Sequence, residues 1–201
     1  MNVMNYQKVL DCEIQKILSG DKTPRLLLHS CCAPCSSYCL EYLSQYFDIT
    51  VYFYNPNIYP IKEYERRRDE FINYAKSFNI AVHIEENQKY IEKWYSDIKG
   101  FEKELEKGAR CNICFKHRIN KAFEYAKNIN AQYVTTVMTV SPHKNSKVIE
   151  EIGNSLAEKY SPIKYLHVDF KKKDGLKKTN IIANEVGLYR QNYCGCEFSM
   201  R

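Results

Sequence analysis

Arg25-Leu26-Leu27-Leu28-His29-Ser30-Cys31-Cys32-Ala33-Pro34-Cys35 is the stretch whose reading decides the fold. Its first half is a short, continuous apolar run of strand length. Its second half puts three cysteines and a proline where that strand turns into a helix. Leu40, Leu43 and Phe47 then recur at helical spacing, with Ser36 or Ser37 available to cap the helix start.

The same alternation continues outward. The spacing of Leu10, Ile14, Ile17 and Leu18 predicts a helix over 5–19, stopped by Gly20. Strands are expected over 49–54, 80–84, 132–140 and 165–170, and helices over 62–78, 110–128, 146–159 and 175–187. The polar stretch 87–108 reads as a helical excursion on the surface. Strands alternating with helices imply one α/β domain over 1–201, a Rossmann-like (nucleotide-hydrolase or HUP-like) three-layer fold with a mainly parallel sheet. Ligands of such folds sit beyond the carboxyl ends of the strands. Cys31–Cys35, the turn Asn55-Pro56-Asn57-Ile58-Tyr59-Pro60 and the loop Ser141-Pro142-His143-Lys144 all follow strands directly, so they should share one rim.

The totals fit this reading. The chain has 201 residues, 44% hydrophobic and 27% charged, an ordinary globular balance. No apolar run is long enough to span a membrane. The start, Met1-Asn2-Val3-Met4-Asn5-Tyr6-Gln7-Lys8, lacks the basic-then-apolar order of a signal peptide, so a cytoplasmic protein with no membrane partner is expected. In a reducing cytosol the nine cysteines point to metal or redox chemistry rather than a disulfide framework. The net charge of +6 permits a polyanionic partner, and the 17 tyrosines beside 30 Lys and Arg would suit base stacking and phosphate contacts.

The cysteines sort by position. Cys31, Cys32 and Cys35 lie at a helix start, where backbone N–H groups and the helix dipole favour thiolate. Cys111 and Cys114 have C-x-x-C spacing on one face of a helix, about 50° from its apolar stripe, and suit two corners of a metal site. Cys194 and Cys196 flank a glycine that permits the tight turn of a ligand pair or redox dithiol. Cys12 and Cys39 read as structural. The remaining seven exceed the four ligands of one tetrahedral zinc, and all-sulfur ligation points to iron–sulfur or zinc. Arg118 projects within about 20° of Cys111 and could offset the negative charge of a thiolate-bound cluster or hold a phosphate.

These residues resemble a known family. His29-x-Cys31-Cys32-Ala33-Pro34-Cys35, Asn55-Pro56-Asn57-Ile58, Arg110-Cys111-x-x-Cys114, Ser141-Pro142 and Tyr189-Arg190-Gln191-x-Tyr193-Cys194-Gly195-Cys196 occur in the order seen in QueH-type epoxyqueuosine reductases. The resemblance implies reduction of epoxyqueuosine to queuosine at the wobble position of tRNA, without cobalamin, using a 4Fe–4S cluster and an adjacent mononuclear iron. It implies Cys31, Cys32, Cys111 and Cys114 as cluster ligands. Cys194 and Cys196 would be a redox-active pair, able to close as a disulfide, or ligands in another state. Some relatives carry aspartate at the position of Cys35, which makes Cys35 the candidate ligand of the second iron.

Cys194, Cys196, Cys35 and Arg118 are thus the candidate catalytic residues. Asn55, Asn57, Tyr59, Arg190 and Tyr193 are the candidate substrate contacts, with Tyr59, Tyr189 or Tyr193 stacking on a splayed base. The tRNA backbone would meet Arg66, Arg67, Arg68, Lys171, Lys172, Lys173, Lys177, Lys178 and Arg190, and electrons would come from an unidentified donor. Two other classes compete: a thiol–disulfide oxidoreductase using Cys32-Ala33-Pro34-Cys35, and a non-catalytic, zinc-stabilised RNA-binding module. A tRNA-thiolating enzyme fits less well, because the loop after the first strand is not a glycine-rich phosphate cradle.

Overall fold

The computed structural model describes residues 5–200, so residues 1–4 of the leader reading lie outside it. The sheet has five strands: β1 (Arg25–Ser30), β2 (Asp48–Phe53), β3 (Ala81–Ile84), β4 (Tyr133–Thr136) and β5 (Lys164–Tyr165). Their order is β3-β2-β1-β4-β5 and every pairing is parallel. Leu26 of β1 lies opposite Ile49 on one side and Tyr133 on the other. The helices are α1 (Tyr6–Leu18), α2 (Ala33–Leu43), α3 (Ile61–Lys76), α4 (Gln88–Asp97), α5 (Ala109–Asn128), α6 (Ser146–Lys159) and α7 (Gly175–Val186).

Alternation along the strands divides the core between the two faces. Leu26 and Leu28 join Ile49, Val51 and Phe53 under α1, α2 and α3. Leu27 joins Tyr52, Tyr54 and Val134 under α5 and α6. All three leucines of β1 are fully buried, each contributing about 1.5–3 kcal/mol. This is the three-layer, parallel architecture expected from the sequence.

The strand order positions the functional loops. From β1 the chain winds outward through β2 to β3, then returns across the sheet to β4 and β5. The connections leaving β1 and β4 therefore diverge, opening a crevice between them at the carboxyl rim.

Several boundaries differ from the sequence reading. Neither serine caps α2: Cys32 is its N-cap, and Ser36 and Ser37 turn back onto the carbonyls of Cys32 and Pro34. The predicted strand 132–140 ends at Thr136, whose hydroxyl accepts from Met138 N and turns Val137–Val140 into a 3-10 helix. The predicted strand 165–170 is paired only over Lys164–Tyr165. Leu166, Val168 and Phe170 still bury their side chains in alternation; Leu166 N donates to the Val134 carbonyl at 2.8 Å, and beyond it the partner strand β4 has ended at Thr136. The polar excursion is α4 followed by irregular chain over 98–108. Cys12 is exposed and Cys39 fully buried, and neither belongs to the Cys31, Cys32 and Cys35 group. No helix among the described residues is long and apolar enough to cross a membrane.

Helix α7 closes over α2 because Gly175 admits the backbone of Phe170: a Cβ there would lie 1.8 Å from the Phe170 carbonyl oxygen. Gly175→Ala should lower stability by about 2 kcal/mol, read as a reduced thermal midpoint. An unchanged midpoint would contradict this packing.

Candidate metal centre and substrate cleft

Cys31 follows β1 directly, and Cys32 sits in extended backbone (φ −171°, ψ 159°) as the N-cap of α2. Pro34 lies in the first turn, where its missing N–H costs nothing. The chain thus reverses within two residues, and the Cys31, Cys32 and Cys35 thiols come within 4.8 Å of one another. Among the described residues no other group of three or more His, Cys, Asp or Glu side chains meets so closely. Cys31 accepts hydrogen bonds from Cys32 and Cys35, which hold its thiol well below the usual range; Lys144 and Arg118 add to this. Sharing with Cys31 pushes Cys32 up to about 12 and Cys35 well above its ordinary value. Of the three sulfurs, Cys31 is the one this turn biases toward thiolate.

Cys111 and Cys114 lie in the first turns of α5, outside that trio. Cys114 is buried beside Trp94, Ile98 and Cys196, while Cys111 is half-buried and accepts from Lys107 N at 3.3 Å. Burial pushes Cys114 up to about 11, with Arg118 opposing. The preceding Arg110 is also buried, its guanidinium donating to the carbonyls of Phe101, Glu102 and Glu104, so it anchors the approach to the helix.

The carboxyl-terminal turn reaches both thiol groups. Cys194 lines the same cleft as Cys31 and Cys35, whereas Cys196 packs against Cys114. Gly195, at φ 131°, makes this divergence possible, and a side chain there would press on Arg67, Ile58 and Asn57. Its carbonyl accepts from Tyr59 N at 2.8 Å, pinning the tail to the turn after β2. All nine cysteines are free thiols.

Arg118 is not a surface residue. It is 2% exposed and donates to Asn55 Oδ1 at 2.5 Å, while its Nε has no partner. Burial opposes its charge, but Cys114, Cys31 and Cys194 outweigh burial and hold its basicity up. Lys144, on the loop after β4, is likewise buried and held cationic against desolvation by Cys194, Cys31 and Cys35. Two buried cations among thiols are chemically complementary to an anionic, sulfur-ligated centre.

The remaining expected residues divide into scaffold and rim. His29 is fully buried; burial pushes it down to about 3, so it is neutral, bonded to Thr136 Oγ1 at 2.8 Å and the Tyr54 carbonyl at 3.2 Å. Asn55 spends both ends of its amide, donating to the Ser30 carbonyl at 2.9 Å and accepting from Arg118. Asn57 is buried, its Oδ1 without a partner. Tyr59 is 46% exposed, Tyr193 donates to the Tyr59 carbonyl, and Arg190 and Tyr193 line the cleft. Arg67 is not free for phosphate: it is 1% exposed and paired with Glu63 at 2.6 Å, because α3 turns it toward the Cys194 carbonyl. Arg66 stacks on Tyr189, and Arg68 pairs with Asp69 and Glu86. Lys172, Lys177 and Lys178 remain exposed.

The cleft itself is a cavity of about 270 Å³ between the loops after β1 and β4, with α7 and residues 190–194 as its other walls. Sequence reasoning assigned no role to three of its residues, Lys144, Thr179 and Gln191. Gln191 donates to Cys32 Sγ at 3.2 Å. Its place in the carboxyl-terminal motif was the available signal; Thr179 had none.

An all-sulfur trio, two of its thiols buried and Cys35 half-buried, fits iron or zinc and not magnesium or calcium. Comparison with known proteins identifies the lineage. The family profile described as "Epoxyqueuosine reductase QueH" matches residues 26–201. A protein of Streptococcus pyogenes serotype M1 bearing that name is 37% identical, covering 98% of this chain and 79% of its own length. Its namesake in Staphylococcus epidermidis is 39% identical over 98% of this chain and 84% of its own length. The Thermotoga maritima namesake is 35% identical over 87% of this chain and 90% of its own length. A profile match across nearly the whole sheet, with relatives similar along almost their full length, means that this chain belongs to the epoxyqueuosine reductase QueH family.

Proposed function

We propose that this chain reduces epoxyqueuosine to queuosine at the wobble position of tRNA, independently of cobalamin, in the cytoplasm. The observation that carries the reading is the compact Cys31–Cys32–Cys35 turn set at the sheet's crevice. Its relatives' names supply the substrate. The reaction takes two electrons and two protons, breaks both C–O bonds of the epoxide and leaves an alkene and water.

Cys31, Cys32, Cys111 and Cys114 would hold the 4Fe–4S cluster, and Cys35 the adjacent iron. When bound, the cluster would supply electrons one at a time and the second iron would polarise the epoxide oxygen. The chain's own residues do the rest. Arg118 and Lys144 would offset the negative charge of the thiolates from buried positions. Asn55 holds the Arg118 guanidinium, and Gln191 fixes the Cys32 sulfur. The exposed ring of Tyr59 offers a stacking surface for the splayed base, with Tyr193 buttressing its backbone. Cys194 and Cys196 would pass electrons as a dithiol or complete the ligand set, since each faces one of the two thiol groups. A thiol–disulfide oxidoreductase needs one cysteine pair; here a third thiol shares the same turn and two buried cations stand beside it.

Anaerobically purified protein should carry more than four irons and about four sulfides per chain. Cys35→Ala should lose only the excess iron together with activity, whereas Cys111→Ala should lose sulfide as well. Full activity in Cys35→Ala with an intact cluster would remove the second iron from the mechanism. Zinc without sulfide would instead support the non-catalytic module.

Arg118→Met keeps the length of the side chain but leaves Asn55 Oδ1 without its donor. It should destabilise the fold by about 1–3 kcal/mol and lower iron retention in parallel. Wild-type iron content in that variant would reduce Arg118 to a packing residue.

A further inference from the structure

The cleft contains polar groups that neither the fold nor the thiol site uses. Thr179 lies on α7, is 4% exposed and lines the cavity, yet its hydroxyl has no hydrogen-bond partner. Threonine in a helix ordinarily returns its hydroxyl to a backbone carbonyl of the preceding turn. This one does not, and a buried hydroxyl without a partner is costly to keep. Gln191 repeats the pattern from the opposite wall: its Nε2 is bonded to Cys32 Sγ, while its buried Oε1 is unpartnered. Lys144, 9% exposed, lines the same cavity from the loop after β4.

We propose that Thr179 and Gln191, together with Lys144, form the recognition pocket for the hydroxylated cyclopentane ring of the substrate, and that Thr179 is a specificity-determining residue. The inference rests on the epoxyqueuosine reading of the site. Three arguments support it. The walls hold Cys31, Cys35 and Cys194 as well as these polar groups, so a ring bound here has its reacting edge against the thiol side and its other edge against α7. About 270 Å³ accommodates a small substituted ring, while the larger base can remain outside beside exposed Tyr59. The free groups include acceptors and donors, which is what a ring bearing hydroxyls and an epoxide oxygen requires; a purely apolar ring would leave them unsatisfied. Gln191 also connects the pocket to the Cys32 sulfur, so ring recognition and the metal side share one side chain.

The test compares binding of the iron-loaded protein to two RNAs: the tRNA carrying epoxyqueuosine, and the same tRNA with guanosine at the wobble position. Thr179→Val preserves shape and removes the hydroxyl. It should weaken binding of the modified tRNA about tenfold, leave binding of the guanosine form unchanged, and keep iron and sulfide at wild-type levels. Thr179→Ser, which restores the hydroxyl, should restore the preference. Thr179→Ala serves as the second variant should the valine side chain lower cluster content. Full retention of the preference in the hydroxyl-free variants, in a protein whose wild type reduces epoxyqueuosine, would overturn the pocket assignment and leave the function intact. A wild-type protein that neither reduces epoxyqueuosine nor distinguishes the two RNAs would overturn the function and the pocket with it.

Discussion

The site depends on one topological constraint: β1 stands between β2 and β4, parallel to both. A parallel sheet delivers every strand's carboxyl end to the same rim. Because the chain leaves β1 toward β2 and re-enters beside it at β4, the two following loops part there. The β1 loop brings Cys31, Cys32 and Cys35; the β4 loop brings Lys144. Everything else is arranged around this division. Helix α5 carries Cys111, Cys114 and Arg118 on the Leu27 face, and α7 closes the Leu28 face against α2. The last turn then runs over the crevice and is tied down by the bond from Tyr59 N to the Gly195 carbonyl.

Much of this was legible because it rests on local patterns. The run Arg25–His29, the helical spacing after Cys35 and the repeated strand–helix alternation fix the layers through burial alone, and the faces divide as period-2 alternation requires. The elements that were misplaced depend on interactions from outside their own window. The Thr136–Met138 bond ends β4 early although the residues beyond it are apolar, and β5 stops short because its partner strand has ended. Ser36 and Ser37 have good capping chemistry, but the backbone turn at Cys32 takes the N-cap first.

The site was legible to a different depth. Cysteine spacing marks which residues belong to the rim, since rare residues in tight spacing are hard to explain as packing. It does not say which sulfurs face each other. The closest approach is within one turn, among Cys31, Cys32 and Cys35, and the two carboxyl-terminal cysteines diverge across Gly195. Arg118 and Arg67 show the same limit for charge. Arg67, read as a phosphate contact, and Arg118, read on the Cys111 face of its helix, are both buried, because the carboxyl-terminal residues and the turn after β2 fold over them. Arg67 finds Glu63 one turn earlier on its own helix, which a spacing argument could have found. Arg118 finds Asn55, 63 residues away, which it could not.

That contrast bears on the chemistry. Arg67 has the Glu63 carboxylate beside it in addition to the nearby Cys32 and Cys31 sulfurs. Arg118 bonds the neutral amide of Asn55 and the Cys114 sulfur, and Cys114, Cys31 and Cys194, on three different segments, hold its basicity up against burial. Lys144 depends on the same sulfurs, Cys194 and Cys31, with Cys35 added. Cationic side chains this deeply buried favour anionic character in the sulfurs around them. Neutral thiols would leave both charges uncompensated, and a metal-free set of thiolates would repel one another at these distances. Thiolates shared with a metal satisfy both conditions, because the metal offsets sulfur–sulfur repulsion while the centre as a whole stays negative toward Arg118 and Lys144. The two buried cations beside the crevice are therefore complementary to a sulfur-ligated metal centre on the Cys31, Cys32 and Cys35 turn.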